Sequence, residues 1–221
     1  MMDPVELTHS IIRQAYNLAA DRYHSIFRDE LEGKEYDRML LDFFAVRLNN
    51  GSLICDAGCG PSGHIGRYLA NKGMVITGID ISDRCIELAS VLNPDMHFVR
   101  EDMAKMSFEN DSFDAVVSYY SIIHTPKNLV DNVLREFYRV LKPGGYLLIA
   151  VKAGYDESLQ TELIGIETEI LLSLFNENEI REYLIRNGFD IFFSEKREPY
   201  EFEINYDRIF VIGKKPENCL R

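Results

Sequence analysis

Tryptophan is absent from this 221-residue chain, cysteine occurs four times, and Lys plus Arg number 24 against 36 Asp plus Glu. The formal charge of −12 repels phosphate backbones, and no Lys/Arg cluster interrupts it, so DNA, structured RNA and anionic lipid are disfavoured as partners. No apolar run approaches the roughly 20 residues a membrane-crossing helix needs. The start, Met1-Met2-Asp3-Pro4-Val5-Glu6, lacks a basic segment followed by an apolar core, so a secretory signal is not expected. Low-complexity runs of the kind that stay disordered are missing as well. The cysteines show no zinc-like spacing: Cys55 and Cys59 flank a turn, Cys85 falls in a helical stretch and Cys219 in the tail. Buried reduced thiols in a cytoplasmic protein are the expectation, with a Cys55–Cys59 redox pair as the alternative.

Against these absences stands a hydrophobic fraction of 46%, enough for a sizeable core, and a length that suits one α/β domain with a cap. The most informative stretch is Leu53-Ile54-Cys55-Asp56-Ala57-Gly58-Cys59-Gly60-Pro61-Ser62-Gly63. A short apolar run meets an acid, and then Gly58, Gly60 and Gly63 follow at the spacing Gly-x-Gly-x-x-Gly. Residues 64–71 read as a helix, so this loop joins a strand to a helix, the context in which such glycines let a backbone approach a ligand closely. Residues 74–80 form a second apolar run ending in Asp80, a position from which a carboxylate can accept from a ribose diol. From residue 53 to 152, strand-like and helix-like stretches alternate, the pattern of a parallel sheet covered on both faces.

The form Asp-x-Gly-x-Gly-x-x-Gly resembles motif I of the class I S-adenosylmethionine-dependent methyltransferases. His97-Phe98-Val99-Arg100-Glu101-Asp102-Met103 resembles that family's third strand with its adenine-contacting acid. Phe113-Asp114-Ala115-Val116-Val117-Ser118 resembles its fourth strand, and the stretch from Arg139 through Lys142-Pro143-Gly144-Gly145 to Ile149 its helix end, reverse turn and fifth strand. Five motifs in order cover residues 53–151, and together they are far more specific than one glycine loop. The resemblance implies a doubly wound, seven-stranded, mostly parallel α/β sheet of order 3-2-1-4-5-7-6 with the last strand antiparallel. Residues 1–221 would form one domain: a helical cap over 1–50, a cofactor core over 51–152, and an acceptor-side insertion, last helix and final strands over 153–221. In the cap, residues 7–31 and 34–48 read as helices, the first with apolar positions at helical spacing on one face. Residues 153–173 fall where related enzymes build an acceptor lid. Asn176 with Glu179 reads as a helix start, Asn187-Gly188 as its end, and 189–194 and 207–213 as the final strands.

The resemblance also implies S-adenosylmethionine as cofactor, S-adenosylhomocysteine as product and a small-molecule methyl acceptor, with no metal. Asp56 would favour the positive end of the ligand, Gly58, Gly60 and Gly63 would keep its path clear, and Asp80 would take the ribose hydroxyls. Ile81 would pack on the adenine, Asp102 would accept from its amino group and the Met103 backbone would read the ring edge. Ser118 and Tyr119 would lie near the sulfonium, and Tyr16 and Tyr23 match a segment whose tyrosines reach the cofactor. Each has a plainer alternative: Asp56 and Asp80 as turn or helix caps, the tyrosines as core packing. His124, after the fourth strand, is either a base for an acceptor proton or a residue that shapes the cavity. Tyr120 and Tyr155 are candidates for the acceptor pocket by position. Two rivals stay open: methylation of a protein or peptide, which an open groove would favour, and a non-catalytic cofactor-binding module. Asp56, the Lys-Pro-Gly-Gly turn and the final strand pair weigh against a nicotinamide oxidoreductase.

Overall fold

A computed structural model describes residues 4–217; the expectations for Cys219 and for the first three residues lie outside them. Seven strands form one sheet: β1 (Leu53–Ala57), β2 (Val75–Asp80), β3 (His97–Arg100), β4 (Phe113–Tyr119), β5 (Leu141–Lys152) and, beyond a separate hairpin of β6 (Glu157–Leu163) and β7 (Ile166–Ser173), β8 (Asp190–Arg197) and β9 (Arg208–Lys214). The spatial order is β3-β2-β1-β4-β5-β9-β8. Strands β1 to β5 are mutually parallel, while β9 pairs antiparallel with both neighbours. With the hairpin set aside, this is the expected order with its last strand reversed.

Among the described residues seven α-helices flank the strands: α1 (Pro4–Phe27), α2 (Glu30–Gly33), α3 (Glu35–Ala45), α4 (His64–Ala70), α5 (Asp83–Leu92), α6 (Val130–Val140) and α7 (Glu177–Arg186). The period of two along each strand divides the core. Ile54, Ala115, Val117, Leu148, Ala150, Phe210 and Ile212 face α3 and α4 on one side. Cys55, Val116, Leu147, Ile149, Val151, Ile209 and Val211 face α6 and α7 on the other. Helix α6 shows why the sequence folds this way: Val130, Val133, Leu134, Phe137 and Val140 recur at three- and four-residue spacing, and all are buried. Each such side chain contributes about 1.5–3 kcal/mol by leaving water. Asn176 and Glu179 form a reciprocal capping box at the start of α7.

Three elements differ from the sequence reading. The first cap helix stops at Phe27, and Leu31 belongs to the short α2, which turns Glu30 toward His64 and Lys34. The Lys-Pro-Gly-Gly stretch lies inside β5, as an irregularity between the pairs Phe113↔Leu141 and Ala115↔Tyr146. Residues 157–173 are a hairpin whose turn places Ile164 at φ 48° and Gly165 at φ 79°, the left-handed pair that a tight two-residue hairpin turn requires.

Candidate active site

Strand order reverses at β1, because β2 lies on one side of it and β4 on the other; ligands of open α/β sheets bind beyond the carboxyl ends at such a point. A cleft opens there. The glycine loop forms its floor. The amides of Gly58 and Cys59 both donate to Ile79 O, at 2.8 and 3.0 Å, folding the loop back over β2. Gly58 has φ 76°, and a Cβ on it would stand 2.2 Å from the Ser121 Cβ, so no other residue fits. A Cβ on Gly60 would meet nothing within 4 Å.

Asp80, at the end of β2, lines the cleft. Its Oδ2 accepts from Gly60 N at 3.0 Å and its Oδ1 from Ser82 N at 2.9 Å. Burial pushes this carboxyl up to about 6, against the pull of those amides. A buried carboxylate with no cation beside it among the described residues, and with lone pairs left over, is suited to hydroxyl donors. Asp56 is also pushed up to about 6 by burial, but it lies beneath the loop, where its Oδ2 accepts from Gly66 N at 3.0 Å in the first turn of α4. Asp56, Gly63 and Ser118 do not line the cleft. Gly63 caps α4 in a left-handed conformation, and Ser118 donates to Ser121 Oγ at 2.7 Å, which in turn donates to Ala57 O.

Helix α1 roofs the cleft with His9, Ile12, Tyr16 and Tyr23. It is tied down by Arg84–Asp21, by the Arg13–Asp83 pair and by Asn17 Oδ1, which accepts from Ser82 Oγ at 2.7 Å. The Tyr16 and Tyr23 rings lie 5.9 Å apart. His9 Nδ1 meets Asp102 Oδ2 at 2.6 Å, and Asp102 Oδ1 accepts from Ala104 N at 2.8 Å. Burial alone would raise the Asp102 carboxyl, but the His9 hydrogen bond and the Ala104 amide outweigh it and hold the group below its ordinary range. The sequence reading did not single out His9; the stripe His9, Ile12, Tyr16, Tyr23 at helical spacing was the signal available.

At the other end, Ile81 and Met103 give way to Tyr119, Tyr120, Ser121 and His124 along the wall. Tyr119 presents its ring only, because its hydroxyl donates to the fully buried Asp37 at 2.6 Å. His124 Nδ1 lies 2.6 Å from Leu171 O in β7. A carbonyl can only accept, so Nδ1 carries the proton and Nε2 accepts from the Tyr16 hydroxyl at 2.9 Å. Burial lowers the His124 imidazole to about 4; its Nε2 is neutral and already engaged. Tyr155 is placed elsewhere: it is 78% exposed and borders a separate shallow cleft with Asn176 and Tyr206.

A seven-stranded sheet of this order, with a glycine loop and an acid after β2 at the reversal point, defines a Rossmann-like methyltransferase fold. Residues 55–149 match a family model described as a methyltransferase domain. The chain is 30% identical over 165 residues to sterol 24-C-methyltransferase from Saccharomyces cerevisiae, covering 69% of this chain and 43% of that enzyme. It therefore spans about two-fifths of the length of such curated relatives. Among solved structures, a methyltransferase from Methanosarcina mazei superposes with a TM-score of 0.72 at 24% identity, covering 80% of this chain and 98% of that one. The Burkholderia thailandensis 1,6-didemethyltoxoflavin-N1-methyltransferase gives 0.77 at 17% identity, covering 98% and 92%. Residues 55–149 thus match a methyltransferase domain, set in a chain whose fold is the Rossmann-like one of those solved methyltransferases.

Proposed function

We propose that this protein methylates a small-molecule acceptor with S-adenosylmethionine. The observation that carries the reading is the cleft itself: a buried Asp80 held only by backbone amides, an open face at Gly60, and an aromatic wall from Tyr119 to His124 in one cleft. When bound, S-adenosylmethionine supplies a methyl group already activated on a sulfonium. Asp80 would accept from the ribose hydroxyls, Ile81 and Met103 would flank the adenine, and Gly58 and Gly60 leave the floor free of side chains. Asp102, already paired with His9, would also accept from the adenine amino group. Tyr16 and Tyr23 cover the site and exclude water, which strengthens the orientation of the two reactants; alignment of this kind contributes up to about 7–11 kcal/mol in ideal cases.

His124 acts here as a positioning residue. Its Nε2 holds the Tyr16 hydroxyl and its Nδ1 holds β7, so it locks the roof to the acceptor-side hairpin. Burial leaves it a weak base, and in-line transfer to a good nucleophile needs none. The roof and hairpin favour a small acceptor over a protein side chain, which an open groove would suit. The void beside Tyr119 to His124 favours an enzyme over a purely cofactor-binding module. The described cysteines are free and buried, which suits the cytoplasm, and no described helix is long and apolar enough to cross a membrane.

The test is incubation with methyl-tritiated S-adenosylmethionine and a low-molecular-weight cell extract or, separately, the protein fraction. Label is expected in extractable small molecules. Label confined to protein would overturn the small-molecule reading.

A further inference from the structure

The roof helix meets the wall of the cleft at a charged contact. His9, in the second turn of α1, and Asp102, just beyond β3, both line the cleft, and His9 Nδ1 lies 2.6 Å from Asp102 Oδ2. An ionised carboxylate only accepts, so Nδ1 carries the proton. That hydrogen bond raises the His9 imidazole above its ordinary value, against the pull of its burial.

Asp102 is aimed from two sides. Within its own segment, Ala104 N donates to Oδ1 at 2.8 Å and Lys105 N to the Asp102 carbonyl at 2.9 Å, so a tight turn with an Asx-type bond sets where the side chain starts. From the roof, His9 holds Oδ2. A carboxylate has about four acceptor positions, and these two donors leave one on each oxygen. The side chain is still 30% exposed, so the remaining acceptor positions are open to a ligand in the cleft. Glu101, the neighbouring acid on the same wall, accepts from the Ser107 hydroxyl instead.

The helix that carries His9 is fixed beside this contact. One turn further along α1, Arg13 pairs with Asp83 at the start of α5, and Asp83 also meets Arg100 Nε at 3.1 Å at the end of β3. One carboxylate thus joins α1, α5 and β3. These pairs are about half exposed and contribute little to stability. They set the register in which His9 falls over Asp102.

We propose that His9 is a positioning residue for base selection: its hydrogen bond holds Asp102 as a fixed, acceptor-only group that selects a purine with a 6-amino group over one with a 6-oxo group. The proposal deepens the methyltransferase reading and rests on it. A 6-amino group donates to an unfilled lone pair of Asp102. A 6-oxo group sets a second acceptor against the carboxylate and is repelled. Without His9 the carboxylate is free to turn toward water, and either purine can be accommodated. The glycine loop and the acid after β3 specify no partner on the first helix, so this control lies in the cap of this chain.

The experiment titrates the full chain by calorimetry with S-adenosylhomocysteine and with S-inosylhomocysteine, its 6-oxo counterpart. Wild type is expected to favour the 6-amino ligand by about tenfold or more, as a site built to pair with a hydrogen-bonding group rejects an analogue lacking it. In His9→Leu the preference falls below about threefold. In His9→Asn, whose amide nitrogen can stand where Nδ1 did, it returns to within about threefold of wild type. Loss of a mere roof strut would weaken both ligands by one factor and leave their ratio unchanged. That result in His9→Leu, equal binding of the two ligands by wild type, or a preference in His9→Asn no greater than in His9→Leu would each overturn the proposal. Wild type that binds neither ligand would overturn the methyltransferase reading itself, and the proposal with it.

Discussion

At the β1–β2–β3 end of the cleft, the walls come from neighbouring pieces of chain: the Gly58–Gly60 loop, Asp80 and Ile81, then Asp102 and Met103. At the β4–β5–β9 end the wall, Tyr119 to Thr125, is held in place by contacts from remote ones. Tyr16 reaches His124 across 108 residues, Arg197 reaches Asp37 across 160, and the β6–β7 hairpin supplies Leu171 O. The first end is shaped by backbone: glycines in left-handed conformations and amides aimed at one carboxylate. The second is shaped by side chains that complete one another's hydrogen bonds. A backbone-built site tolerates little change and suits a ligand that does not vary. A side-chain-built site can be rewritten by single substitutions, as a substrate pocket requires.

That contrast predicts how the two ends break. Gly58→Ala should have the largest effect, since the added carbon would collide with Ser121 and strain the backbone. A destabilisation of about 3 kcal/mol is expected, with S-adenosylhomocysteine binding lost in calorimetry. A variant that melts and binds like wild type would show that the loop is not the rigid floor described.

At the other end, His124 sets an acid limb on stability. Its folded value of about 4 lies below the ordinary 6.5, so the unfolded chain binds the proton more tightly. The stability this histidine contributes is complete above about pH 6.5 and is lost as pH falls toward 4, by about 3 kcal/mol in all. Asp56 and Asp80 slope the opposite way, because their values are raised to about 6 and their contribution is lost as pH rises through that value. The comparison must therefore be made against His124→Gln. Denaturant curves at pH 7 and pH 4 should show wild type losing about 3 kcal/mol more than the variant; equal losses would remove His124 from the account.

Asp80 makes a third, smaller signature. Only its ionised form is a full acceptor for a diol, so affinity for S-adenosylhomocysteine should fall about tenfold between pH 7.5 and pH 5. A flat profile would mean that the carboxyl does not titrate near 6. The smallest effect belongs to the hairpin. Gly165→Ala meets only the flexible end of Arg22 and a left-handed backbone, at a cost of about 1 kcal/mol. Melting should fall slightly, while S-adenosylhomocysteine affinity stays within twofold. A large loss of cofactor affinity would show that the two ends are not separable.

The same contrast explains what the sequence disclosed. Asp80 and the glycine loop were legible because each follows a strand at a fixed short distance, where the fold leaves one place for it. Alternating apolar runs and turn residues gave the parallel α/β class, while the strand order came from the resemblance carried by the five ordered motifs. The His9–Asp102 pair and the Tyr16–His124 bond join segments that no local pattern relates. Position after the fifth strand suggested Tyr155 as a pocket residue, yet the hairpin that follows turns it outward. The glycine at 63 and the acid at 56 kept their spacing in the motif while serving the helix that follows it, as the plainer reading of Asp56 allowed.

The most direct measurement is titration calorimetry of S-adenosylhomocysteine against wild type and Asp80→Ala at pH 7.5. Micromolar binding by wild type, weakened at least a hundredfold in a variant that remains folded by circular dichroism, is the predicted result. Folded wild-type protein that binds no S-adenosylhomocysteine, or an Asp80→Ala variant that binds it undiminished, would contradict the site described here.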